Sequence, residues 1–215
     1  MTRAPVATSD DRGMTSDVAP FTLRSAAGLP DEPPPLASTV LVVIDAQAEY
    51  TTGNVPLVGV DDAVVTIAAL LHAARSAGSP IVHVQHEGRP GGMFAPDAGG
   101  AAIPAVAPLD GERVVSKTLP NAFAGTDLDD VLSAGELRTL TIVGFMTHMC
   151  VSSTARAALD HRYDVTVVSD ACATRDLPGP AGSEPVAAAE VHRVALAELA
   201  DRFAIVAPGS VLLPR

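Results

Sequence analysis

Tryptophan is absent from this sequence, and tyrosine and phenylalanine together make up 3% of its 215 residues. A core with so few large rings has to be built from Val, Leu, Ile and Ala, which suits helices packed closely on a sheet. Cysteine is almost as scarce. Cys150 and Cys172 alone do not make a secreted disulfide framework, and with no Cys-x-x-Cys or paired Cys/His spacing they do not make a structural zinc site. Basic residues are few, 14 Lys plus Arg against 25 Asp plus Glu, and the resulting charge of −11 argues against nucleic acid or an anionic membrane as partner. No apolar run approaches the roughly 18 residues of a membrane span. The first ten residues contain no apolar core of a signal peptide. The expectation from these absences is a cytoplasmic protein whose thiols remain free.

What is present reads as one α/β domain. Residues 1–20 are expected to be a disordered leader and residues 21–215 the folded domain, entered through the extended run Pro30-Asp-Glu-Pro-Pro-Pro35. A buried strand is expected at 40–45. A helix follows from near Asp61, with Val64, Ile67, Ala68, Leu71 and Ala74 inward, and Gly78 and Pro80 end it. Further strands are expected at 81–85, 113–116, 140–143, 164–168 and 203–206, with helices at 127–132, from Val151, and after a cap at Ser183 with Val191, Val194, Ala195 and Leu199 inward. Residues 87–111 form a Gly/Pro loop long enough to be a functional cover. Strands alternating with helices predict a doubly wound, Rossmann-like fold: a mostly parallel sheet of about six strands with helices on both faces.

The most informative stretch is 139–159. Leu140 to Val143 is a short β-branched run, Gly144 breaks it, and Val151, Ala155, Ala158 and Leu159 then fall on one helix face. Cys150 therefore sits where a strand hands over to a helix, and a thiol at a helix N-terminus is expected to have a lowered pKa. Ligands of open α/β sheets bind outside the carboxyl ends of the strands. Reading those ends gives Asp45, Lys117 and Cys150: an acid, a cation and a nucleophile. Taken singly, each has a bland alternative, as a turn cap, a solvated charge and a small buried hydrophobe. Three of them at three strand ends favour chemistry.

These residues carry a resemblance to the isochorismatase-like cysteine hydrolases. Leu41-Val-Val-Ile-Asp-Ala-Gln-Ala-Glu-Tyr50 is similar to the family's first strand and Asp-x-Gln motif. Val115-Ser-Lys-Thr-Leu-Pro-Asn-Ala-Phe-Ala-Gly-Thr-Asp-Leu128 resembles its lysine segment, Val143-Gly-Phe-Met-Thr-His-Met-Cys-Val-Ser-Ser-Thr-Ala155 its nucleophile motif, and Val168-Ser-Asp-Ala-Cys-Ala173 the strand that follows. The resemblance implies hydrolysis of an amide or ureido C–N bond of a small molecule. Cys150 would form a thioester, with Asp45 as general base and Lys117 as its electrostatic partner. It also implies a cis peptide at Phe145–Met146, an oxyanion hole from the Met146 and Cys150 N–H groups, and a homo-oligomer.

Nearness to the strand ends nominates Gln47, Glu49, Tyr50, His86, Asn121, Phe123 and Phe145 as substrate-binding residues. Cys172 reads as core, and His148 as either pocket-lining or solvent-facing. The nicotinamidase branch binds a metal through Asp-x-His after the second strand. Here that place reads His86-Glu-Gly-Arg, so neither a metal nor another cofactor is expected. The same segment, with Asn121-Ala-Phe, is nearer the streptothricin hydrolase-like branch. Two other readings stay open: an isochorismatase-type vinyl ether hydrolase, and a catalytically idle binding subunit of the same fold.

Overall fold

The computed structural model describes residues 19–96 and 98–214. The expected leader lies outside the described residues except for Ala19 and Pro20, both exposed. The strands are β1 (Val40–Ile44), β2 (Ile81–His86), β3 (Arg113–Lys117), β4 (Thr139–Phe145), β5 (Asp164–Ala173) and β6 (Ile205–Ala207). They form one sheet in the order β3-β2-β1-β4-β5-β6, and every neighbouring pair is parallel. The chain builds outward from β1 to β3 and then returns to the other side of β1 with β4. That reversal opens a crevice between the carboxyl ends of β1 and β4.

The middle of the sheet is buried on both faces, so its central strand β1 is continuously apolar. Val40, Val42 and Ile44 of β1 enter one core, whereas Leu41 and Val43 enter the other. A single helical turn, α1 (Leu23–Ala26), precedes the sheet; Thr22 and Ser25 cap it reciprocally, and it is tied to the body by Leu23 N–H donating to Asp201. On the first face lie α3 (Leu128–Ser133), α4 (Ser152–Asp160) and α5 (Ala188–Arg202). The second face is covered by α2 (Val60–Ala77), whose Ile67, Leu70, Leu71 and Ala74 are sealed completely. The burial of each of its Ile and Leu side chains stabilises the fold by about 1.5–3 kcal/mol.

Two inward faces differ from the expectation. In α2 the deepest positions are Ala63, Ile67, Leu70, Leu71 and Ala74, while Val64 and Ala68 are only half-buried. Val194 of α5 is 42% exposed, since Leu196 and Leu199 supply the contact with the sheet. The cap of α5 is also not Ser183: Asp176 Oδ1 accepts from Ala188 N at 2.7 Å, so a carboxylate from the preceding loop serves the helix end.

Gly144 is required where β4 crosses behind the end of β1. Its φ is +114°, and a Cβ there would stand 2.0 Å from the carbonyl oxygen of Ile44. Just before it the register moves from Ile142 opposite Val167 to Gly144 opposite Cys172, so β5 carries an irregularity alongside the crevice.

Candidate active site

Asp45 is the first residue beyond β1 and has φ +48°, a left-handed conformation unusual outside glycine. Hydrogen bonds hold it there, from its N–H to the Val84 carbonyl at 2.8 Å and from Gln47 N–H to its own carbonyl at 2.8 Å. Lys117 is the last residue of β3, in register with His86 of β2, and reaches across beneath β2. Cys150 lies in one π-helical turn, Thr147–Val151, which precedes α4. The Phe145–Met146 peptide leading into that turn is cis. The turn closes on the Met146 carbonyl, which accepts from Met149 and Val151 at 3.0 and 3.2 Å. Its side chains fasten it to β5: Thr147 donates to the Ala173 carbonyl at 3.1 Å, and His148 Nδ1 meets the Thr174 hydroxyl at 2.6 Å. The Met146 N–H meets no acceptor among the described residues.

The three side chains converge. Lys117 Nζ donates to Asp45 Oδ2 at 2.6 Å and to Cys150 Sγ at 3.4 Å, and all three residues are buried. Asp45 Oδ1 is buried and has no hydrogen-bond partner among the described residues. Burial pushes the Asp45 carboxyl above the usual carboxylate range, against the pull of Lys117. The thiol corrects the expectation from sequence: its pKa is not lowered but pushed up to about 12, first by burial and then by the Asp45 charge. Two reasons are physical. The α-helix begins only at Ser152, so Cys150 does not occupy its first turn, and Lys117 offsets the carboxylate only in part. At rest the thiol keeps its proton, and the carboxyl beside it holds one more readily than an ordinary carboxyl does.

Above Cys150 opens a cavity of about 270 Å³. Tyr50 and His86 line it, as expected from sequence. Five other nominated residues do not. Gln47 is committed to backbone, donating to the His86 and Gly100 carbonyls at 2.9 and 2.7 Å and accepting from His86 N at 2.9 Å. The Asn121 side chain caps its own turn by accepting from Phe123 N, and Phe123 turns into the core to stack on His161 at 4.6 Å. Phe145 is fully buried behind Tyr50, with ring centroids 5.9 Å apart. Glu49 too is buried away from the cavity; it accepts from Asn54 N at 2.7 Å and Phe94 N at 3.2 Å, which joins the segment after β1 to the 87–111 loop.

Sequence reasoning missed Phe94, Met93, Met149 and Arg175, all lining the cavity. Phe94 comes from the 87–111 loop and packs edge-on to Tyr50 and His86, each at 5.1 Å, so that loop does cover the site. Arg175 follows the carboxyl end of β5, a position open to the same strand-end reading that found Asp45. Its Nε is buried without a partner among the described residues, and Nη1 donates to the Asp176 carbonyl at 3.1 Å. A larger cavity, about 500 Å³, lies at the amino ends of β1 and β2 around the Arg75–Glu112 pair, away from this chemistry.

The residues do not fit a metal. No three His, Cys, Asp or Glu side chains among the described residues gather as ligands, and His86 Nδ1 faces the Lys117 ammonium at 3.4 Å. His83 is turned away and bonds Glu112 at 2.9 Å. Cys172 is buried and free. No helix among the described residues is long and apolar enough to cross a membrane.

Comparison with known proteins gives one answer. Residues 39–209 match the isochorismatase domain model. A secreted isochorismatase effector of Verticillium dahliae is 40% identical over 182 residues, covering 84% of this chain and 93% of that protein. Streptothricin hydrolase of Streptomyces noursei is 38% identical over 176 residues, 81% of this chain and 69% of its own. Ureidoacrylate amidohydrolase of Methylorubrum extorquens is 31% identical over 189 residues, covering 69% and 76%. An isochorismatase structure from Pseudomonas putida KT2440 superposes with a TM-score of 0.86 at 44% identity, over 91% of this chain and all of that one.

Proposed function

The chain belongs to the isochorismatase family of hydrolases, and from that premise we propose that it cleaves an amide or ureido C–N bond of a small molecule through a thioester on Cys150. The observation that carries this reading is the buried contact of Lys117 with both Asp45 and Cys150, with Asp45 Oδ1 left without a partner among the described residues. As Sγ attacks the substrate carbonyl, the thiol proton passes to Asp45 and the S–C bond forms. The Met146 and Cys150 N–H groups receive the oxyanion. Collapse breaks the C–N bond, and the departing nitrogen takes the proton back from Asp45. Water then attacks the thioester, again through Asp45, and the acid leaves with Cys150 restored. Lys117 keeps Asp45 oriented and faces the sulfur throughout.

Arg175 narrows the substrate. A guanidinium nitrogen buried without a partner among the described residues, beside a cavity lined mainly by apolar side chains, calls for an anion, so the substrate of this reading carries a carboxylate or a similar group at a distance from its scissile bond. The test is mass spectrometry of the protein mixed with small amides and ureido compounds, with and without a carboxylate. The expected result is an acyl adduct on Cys150 that decays to free acid and forms fastest with the anionic members. Hydrolysis that persists undiminished in Cys150→Ala would overturn the thioester.

A further inference from the structure

His86 is a third group within reach of Lys117 Nζ, beside Asp45 and Cys150. It ends β2, and its main chain is held at both polar groups by the Gln47 amide, with N–H to Oε1 and Nε2 to carbonyl contacts both 2.9 Å. Phe94 packs edge-on to the ring. So restrained, Nδ1 stands 3.4 Å from Lys117 Nζ. An ammonium carries three hydrogens, and a buried one needs an acceptor for each. Asp45 Oδ2, Cys150 Sγ and His86 Nδ1 are three acceptors for three hydrogens.

An Nδ1 that accepts from an ammonium has no proton, so in the neutral ring the proton is on Nε2. Burial and the Lys117 charge keep the ring neutral, the first being the larger influence. Nε2 has no hydrogen-bond partner among the described residues, and the ring lines the cavity over Cys150.

We propose that His86 is a fourth working member of the site, fixing Lys117 through Nδ1 and donating from Nε2 to a carbonyl or carboxylate oxygen of the substrate. This rests on the hydrolase reading for its second half only. Lys117 and Asp45 are the charged groups facing the ring from β3 and β1, and Arg175 shares the cavity from the β5 side.

Two near-isosteric variants separate the halves. The amide of His86→Asn can place an oxygen near the Nδ1 position and has nothing at Nε2; His86→Gln can reach the Nε2 position and leaves Nδ1 empty. The first readout is the rate at which iodoacetamide alkylates Cys150, which needs no substrate; the second is KM for the best anionic amide. His86→Asn should alkylate at close to the normal rate while KM rises about tenfold, and His86→Gln should alkylate about tenfold more slowly with KM little changed. His86→Leu should show both losses, with thermal melting confirming that each variant is folded. Equal losses in Asn and Gln, or a Leu variant normal in both, would overturn the proposal. If the alkylation pattern holds and the wild-type protein turns over no amide or ureido compound, the role toward Lys117 stands and the hydrolase reading falls instead.

Discussion

Lys117 Nζ stands 2.6 Å from Asp45 Oδ2 with both side chains closed to solvent, and Asp45 Oδ1 has no hydrogen-bond partner among the described residues. A buried pair of this kind is strained electrostatically when either partner is lost, because the survivor keeps its desolvation cost. Lys117→Met should therefore destabilise the fold by about 3–5 kcal/mol in urea titrations. Adding Asp45→Asn to it should recover part of that loss. If the double variant is as unstable as the sum of the singles, the two groups are not coupled.

The pH profile should follow Asp45 and not the thiol. Asp45 must be ionised to accept the proton, and burial raises its pKa, so kcat/KM should fall on the acid side at a pH above the ordinary carboxylate value of about 3.9. Cys150, pushed up to about 12, should add no rise in rate near neutrality. An activity that instead climbs with a midpoint near the ordinary thiol value of about 8.5 would mean a preformed thiolate, and the base role of Asp45 would be lost.

The cover can be moved without touching the reacting groups. A Cβ on Gly99 would stand 1.8 Å from Glu49 Oε2, the atom that also accepts from Phe94 N. Gly99→Ala should displace the Glu49 carboxylate, loosen Phe94 from its place over His86, and raise KM severalfold. Unchanged KM would show that Phe94 does not wall the substrate.

How far the site was legible follows from what places each residue. Asp45, Lys117 and Cys150 could be read because strand periodicity locates strand ends, and strand ends of this fold converge. Tyr50 and His86 came from the same rule. Gln47, Asn121, Phe123 and Phe145 lie as near those ends, yet Gln47 and Asn121 bond the main chain, Phe123 turns into the core, and Phe145 packs behind Tyr50. Side-chain direction beyond a strand is set by loop geometry, which has no period to read. Phe94 illustrates the same limit from the other side, as a residue in a Gly/Pro loop placed by long-range contacts with Glu49 and Tyr50. The thiol's environment escaped for a further reason: the π-turn at 147–151 has no sequence signature separable from a helix start.

Away from the site, Glu112 joins Arg75 and His83, accepting from Arg75 Nε at 2.7 Å and bonding His83 at 2.9 Å. These donors, Arg75 foremost, hold its carboxyl down to about 2. A depressed folded-state pKa gives stability that is present above the unfolded value near 4.3 and is lost as pH falls through about 2. Glu112→Gln should thus cost about 1.5–3 kcal/mol at neutral pH, and the gap to wild type should close as the pH is lowered. A gap that stays constant down to acid would assign the loss to packing.

The last prediction concerns the division of labour among Asp45, Lys117 and Cys150. Cys150→Ser should abolish turnover while leaving the fold intact, since the change is nearly isosteric and the hydroxyl is far harder to ionise. Asp45→Asn should also abolish turnover and should slow Cys150 alkylation, because the acceptor of the thiol proton is gone. Lys117→Ala should be inactive as well, with the thiol moved still higher once its neighbouring cation is removed. Residues that act as one unit lose their effect together, so Asp45→Asn/Cys150→Ser should be scarcely worse than either single change. Additive losses would mean that the two act independently. A Cys150→Ser variant with near-normal turnover would rule out the thioester and leave the vinyl ether chemistry, which needs no cysteine nucleophile, as the reading to test.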